Sequence, residues 1–200
     1  MTKTRLALLS TLSDMHTQAI QYNLAALAKI VDQVAPDLMC VELPQNDWET
    51  GNLEGAPLEV QHSLLPLAEL SQVVVIPVAP DTHQFNDFAP KTGWRARLAH
   101  WLDQALRRAQ RTANSPEAIH AWLFEGICHT LCILNELSWD AKARQAWVAQ
   151  NQSILDNILQ AVRRDPGRRM LVAAQCQRIH WLEPRLKQAL DIELVDYREL

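Results

Sequence analysis

The sequence predicts an α/β fold: a mostly parallel sheet flanked by helices, with a helical insertion covering the C-terminal strand edge. Three observations predict it. Short apolar runs bounded by turn residues recur along the chain. Segments of helical period separate several of these runs. A long helix-rich stretch, 94–165, then interrupts the alternation. Two hundred residues, 48% of them hydrophobic, suffice for one substantial core. The chain is therefore read as a single α/β domain over 1–200, including the mostly helical subregion at 94–165.

The first run, Leu6 to Leu9, reads as a short buried strand. From Gln21 to Val34, Leu24, Leu27, Ile30, Val31 and Val34 recur at three- and four-residue steps, which aligns them on one helical face. Pro36 and Asp37 end that helix. "LMCVEL", Leu38 to Leu43, is the second strand, and strand, helix and strand in this order imply a parallel crossover. Pro44 to Ala56 is polar, contains Gly51 and Gly55, and reads as a loop. Leu58 to Leu70 is a short helix. "VVVIPV", Val73 to Val78, has the β-branched density of a buried parallel strand, and Pro77 puts its end near an edge or bend.

A long polar connection, Ala79 to Gly93, follows. A helix is expected from Trp94 through Ala109, and Ser115-Pro116 caps the next, whose stripe includes Ile119, Trp122, Leu123, Ile127, Leu131 and Leu134. Ser138 or Asp140 caps a long helix reaching about Val162, with Trp147, Ile154, Leu155, Ile158 and Val162 on its apolar face. Asp165-Pro166-Gly167 ends it. Arg169 to Cys176 is a strand, Trp181 to Leu190 a helix and Ile192 to Tyr197 a last strand.

Composition narrows the function. The formal net charge of −4 gives no general attraction to nucleic acid, and no nucleic-acid partner is expected. The apolar run at Val73 is far too short to span a bilayer, so no membrane partner is expected either. The opening MTKTRLALLS is read as a first core strand rather than a signal peptide, because Asp14 and His16 interrupt it, which points to the cytoplasm. Oligomeric state is not readable. There is no glycine-rich phosphate loop and no G-x-S-x-G elbow. The seven tryptophans mostly accompany helical apolar faces, so they anchor the helical cover or line an apolar pocket. Cys128 and Cys132, one turn apart, read as buried thiols. Beside them, Glu125 and His129 have a spacing that suits a soft metal or an axial haem ligand.

Parallel topology brings separated residues together. Ser13 and His16 follow the first strand, Glu42 ends the second, Asp81 and His83 follow the third, and Gln177 and His180 follow the late one. In an open parallel sheet these ends share one rim. His16, Glu42, Asp81 and His83 are nitrogen and oxygen donors suited to a divalent metal such as Mn or Zn. The same groups also fit a loop network, with the carboxylates capping backbone donors. Arg144 shares a helical face with Trp147 and can fork an anionic group through its guanidinium, or form a surface ion pair.

The order of these residues resembles the TraB/PrgY-like and ChaN-like group, which includes erythromycin-esterase-like proteins. The likeness is carried by "STLSDMH" (Ser10 to His16), "PDLMCVEL" (Pro36 to Leu43), "ARQAWVAQ" around Arg144, and "AAQCQRIHWLEPRL" (Ala174 to Leu186). It implies a divergent member. Ser13 stands where the first motif has histidine and Gln177 where the last has one, while Ser10 and Ala174 replace turn glycines. The resemblance implies an α/β sheet with a helical insertion and, in some members, metal-dependent hydrolysis or haem binding. The expected function is a hydrolase-like enzyme for a small-molecule substrate. Glu42, His16, Arg144 and His180 would be catalytic, Gln177, Ser13 and Trp147 would line the pocket, and water would attack. The alternatives are a non-catalytic haem or small-molecule binder using His129 or His180, and a structural or interaction protein.

Overall fold

The computed structural model describes residues 3–18, 20–81, 92–112 and 122–200, with side chains through 111 in the third stretch and from 126 in the last. Five strands form one sheet: β1 (Thr4–Thr11), β2 (Leu38–Pro44), β3 (Val74–Ala79), β4 (Arg169–Gln175) and β5 (Ile192–Val195). Their order is β3-β2-β4-β1-β5, and every pair is parallel. The expected α/β class is thus present. The first two strands are parallel but not neighbours, because β4 lies between them.

Alternation along the strands sorts side chains onto the two faces. Ala7, Leu9, Met39, Val41, Leu171 and Ala173 pack with Leu27, Ile30 and Val31 of α1 (Leu24–Val34), and with Val60 and Leu64. Leu6, Leu8, Leu38, Cys40, Met170 and Val172 face the other way. They meet Ile154, Ile158 and Val162 of α6 (Ala141–Arg164), and Ile179, Leu182 and Leu186 of α7 (Cys176–Leu186). All seven residues of β2 are buried, which is why its sequence lacks a polar alternation. Each fully buried aliphatic side chain here contributes about 1.5–3 kcal/mol.

Several boundaries differ from expectation for local reasons. Asn23 caps α1 by accepting from the Ala26 N–H, and Ala35 ends it in a left-handed conformation. After Pro44 the chain forms α2 (Gln45–Thr50), where a loop was expected, and Gly51 at φ 70° ends it. The short helix at Leu58 contains a π-helical turn, Val60–Leu64, before α3 (Leu65–Leu70). β3 is an edge strand with Val74 54% exposed, so the expected full burial is corrected, whereas the edge position signalled by Pro77 holds. Asp140, not Ser138, caps α6 by accepting from the Ala143 N–H at 2.7 Å. α7 begins directly at Cys176, five residues before the expected start, because the chain passes from β4 into the helix with no loop.

The helical subregion supplies α4 (Gly93–Thr112) and α5 (Trp122–Ser138), which pack together and against the C-terminal side of the sheet through the turn after β1 and through α7. Among the described side chains of α5, the buried apolar positions are Cys128 and Cys132, which meet Leu106 of α4, while Ile127 and Leu134 of the expected stripe are exposed. The cap expected at Ser115-Pro116 lies outside the described residues. Among the described residues no helix is long and apolar enough to cross a membrane.

Candidate functional site

Thr11 and Gln175 end β1 and β4 side by side in register. Above them is a cleft of about 650 Å³, with a floor of Thr11 to Ser13 and Gln175 to Gln177. α4 forms the roof through Ala99, Asp103, Leu106, Arg107 and Gln110, and Asn135, Trp139 and Trp147 form a wall. Of the expected residues, Ser13, Gln177 and Trp147 line this cleft. Ser13 takes φ 52°, a left-handed bend that turns the chain out of β1.

Beneath the floor lies an ion pair between two buried side chains. Glu42, 2% exposed, places Oε2 2.8 Å from Nε of Arg178, which is itself buried. Glu42 Oε1 accepts the Gln175 backbone N–H at 2.6 Å. The Arg178 guanidinium also donates to Asn151 Oδ1 at 3.1 Å and Gln150 Oε1 at 3.4 Å, and its centre lies 4.8 Å from the Trp147 ring centroid. Burial pushes the Glu42 carboxyl upward from the ordinary carboxylate range, and the Arg178 charge and the Gln175 N–H oppose that shift. The pair locks the end of β2 to the start of α7, and so fixes the cleft floor. An apolar repeat on α7 carries a signal for it. Position 178 shares a face with Leu182 and Leu186, and an arginine on that face needs a buried carboxylate.

A second buried carboxylate, Glu59, also escapes the sequence pattern, because the π-helical turn beside it shifts the helical register. It is 1% exposed, and its Oε1 accepts the Thr11 hydroxyl at 2.5 Å. Burial raises its pKa, while hydrogen bonds from Thr11 and the Ser13 backbone N–H pull it down. Glu42 is close enough that the Glu59 charge adds to the upward shift of Glu42. Two carboxyl groups thus lie under one rim, and Thr11 stands between Glu59 and the cleft.

His16 follows β1 as expected, but its ring is turned onto the backbone. It is 2% exposed in the 3-10 turn Ser13–Thr17, where Nε2 accepts the Leu12 N–H at 2.9 Å and Nδ1 lies 2.8 Å from the Tyr22 carbonyl. That pairing requires the neutral Nδ1–H form, with both ring nitrogens engaged by backbone. Tyr22 in turn donates its hydroxyl to the Ser10 carbonyl. His16 therefore clamps the turn after β1 and offers no free nitrogen to a metal. Asp81 is exposed at the end of β3 and accepts the Asn46 N–H at 3.3 Å. His83 lies outside the described residues. Among the described residues no group of three or more histidine, cysteine, aspartate or glutamate side chains is placed to hold a metal ion.

The remaining expected residues lie outside the cleft lining. Arg144 is exposed on α6 and donates to the Trp139 carbonyl at 3.4 Å. His180 and His129 meet each other edge to face, with ring centroids 5.2 Å apart, on α7 and α5. At the floor, burial pushes the Cys176 thiol up to about 11, so it stays protonated at neutral pH despite standing at a helix start.

Burial lowers the His16 pKa, which gives a signed expectation. The unfolded chain binds a proton near pH 6.5 and the folded chain only at lower pH, so the stability from neutral His16 is full above 6.5 and is lost as pH falls below it. The raised carboxyls of Glu42 and Glu59 act oppositely, weakening the fold as pH rises from 4.5 through their folded values. Urea midpoints for the wild type and His16→Gln, taken from pH 8 down to pH 5, isolate the histidine contribution. The gap between the two proteins is expected to move against the wild type on acidification. A gap independent of pH would show that His16 is not held neutral.

Compared with protein-family models, with curated proteins and with solved structures, the chain matches none.

Proposed function

We propose that the chain is a hydrolase-like enzyme that acts on a small polar substrate held in the cleft above β1 and β4. The observation that carries this reading is the hydrogen bond from the Thr11 hydroxyl to Glu59. It joins the cleft surface to a buried carboxyl whose pKa is raised by burial, the direction that makes a carboxylate a stronger base. A water held against Thr11 attacks the substrate carbonyl. Its proton passes to the Thr11 oxygen as the Thr11 proton passes to Glu59, and the same carboxyl then returns a proton to the leaving group. α7 begins at the cleft floor, and its N-terminal partial charge favours the negative charge that develops on the carbonyl oxygen. Glu42 is a positioning residue in this scheme, because both its oxygens hold the floor in place.

A panel of small carboxylic esters and amides tests the reading with Thr11→Ser and Thr11→Ala. Wild type is expected to hydrolyse at least one compound, Thr11→Ser to keep most of that activity, and Thr11→Ala to lose about a hundredfold or more. Equal turnover by Thr11→Ala would reject the relay.

The second reading is a non-catalytic small-molecule binder, and Trp139 and Trp147 favour it. Both are buried, line the cleft and meet edge to face at 5.5 Å, as in an apolar binding wall. Saturable binding of panel compounds without turnover would select it. Haem as the ligand would draw on His129 or His180, which stand outside the cleft, and visible absorbance of the purified protein checks that directly.

A further inference from the structure

α4 has two apolar stripes, and among the described residues the fold buries one. Ala99, Leu102 and Leu106 are buried. On a neighbouring side Trp94, Leu98 and Trp101, at helical steps of four and three, are 70%, 37% and 60% exposed. Two exposed tryptophans on one stripe are unusual for a face that meets only water. α5, packed on α4, exposes Ile127, Leu134 and Leu137 as well.

The charge around the stripe says what fits it. α4 carries Arg95, Arg97, Arg107, Arg108 and Arg111 against the single carboxylate Asp103, in a chain whose formal net charge is −4. Arg107 is occupied by Asp14 and Asp103 at the cleft, and Arg111 donates to Gln18. Arg95, Arg97 and Arg108 are exposed, and the Arg95 guanidinium lies over the Trp94 ring at 5.6 Å. An apolar stripe with indole rings and arginines at its edges has the composition of a helix lying in a lipid interface. A second copy of the chain fits less well. A twofold contact sets the same patch against itself, which brings the positive charge of Arg95, Arg97 and Arg108 against positive charge. The stripe is also an outward-facing helix surface with projecting indoles rather than a groove for a peptide.

We propose that the outer face of α4, through Trp94, Leu98 and Trp101 with Arg95, Arg97 and Arg108, docks this protein on an anionic lipid surface. Docking requires no spanning helix. Because Asp103, Arg107 and Gln110 face the cleft from other sides of the same helix, a docked molecule keeps the cleft wall of α4 turned away from the lipid.

Cosedimentation of the full chain with phosphatidylcholine vesicles, with and without phosphatidylserine, tests this. Binding is expected only with phosphatidylserine, and high salt should weaken it. Arg95→Gln, Arg97→Gln and Arg108→Gln together should cut the partition about a hundredfold, at about fivefold per arginine. Trp94→Ser with Trp101→Ser should cut it about tenfold or more while circular dichroism stays unchanged. No binding, equal binding to both vesicles, or variants that bind like wild type would overturn the proposal. So would light scattering that shows a dimer which the tryptophan variant dissolves, since that assigns the stripe to a second copy.

Discussion

Arg178→Ala is expected to destabilise the protein by about 3–5 kcal/mol, because it strands the Glu42 carboxylate in the core without its counter-charge. That is a large share of the roughly 5–15 kcal/mol that holds a typical domain together. The side chain also binds Asn151 and Gln150 and lies against Trp147, so truncation removes contacts between α7 and α6 as well as a charge. With the opposing cation gone, burial drives Glu42 further toward its protonated form, and the loss should shrink as pH falls. Arg178→Lys restores a charge without the planar fork and should recover only part of the stability. Glu42→Gln combined with Arg178→Met should recover more, because a neutral amide still accepts the Gln175 N–H and no ion remains buried. Urea unfolding of the four proteins measures this. A single variant as stable as wild type would mean that the pair is solvated.

Trp147→Ala is the second large expected effect, about 3–5 kcal/mol. Trp147 is 3% exposed, meets Trp139 edge to face at 79° and supports the Arg178 guanidinium. Its removal leaves a void continuous with the cleft and releases the residue that orients Glu42. Trp147→Phe keeps an aromatic face and should lose far less. Because Trp147 and Arg178 touch, the double variant should fall short of the sum of the singles by about 0.5–3 kcal/mol. Strict additivity in thermal unfolding would show that the ring and the guanidinium do not act as a unit.

The contrast between fold and site shows what spacing can encode. The strands announced themselves because β1, β2 and β4 are buried on both faces, which only unbroken apolar runs satisfy. The α6 stripe of Trp147, Ile154, Leu155, Ile158 and Val162 was equally plain, and all five are buried. The strand order was not legible, since nothing local records that β4 inserts between β1 and β2. Glu42 was legible as a polar residue ending a buried strand. No expectation named its partner: Arg144 was expected to fork an anionic group or form a surface ion pair, and the cation paired with Glu42 is Arg178, set there by a helix that starts without a loop. Glu59 was hidden by the π-helical turn, and His16, though rightly placed near the rim, serves the backbone.

Turnover of the ester and amide panel by Glu59→Gln, beside wild type, tests most directly whether the buried carboxyl behind Thr11 does the chemistry. Glutamine keeps the shape and can still accept the Thr11 hydroxyl, but it cannot take up the proton. The variant is expected to unfold at nearly the wild-type urea midpoint and to lose about 10²–10⁴ in kcat/KM on every compound that the wild type hydrolyses. A folded Glu59→Gln protein with wild-type turnover, or a wild type that hydrolyses none of the panel, would contradict the account.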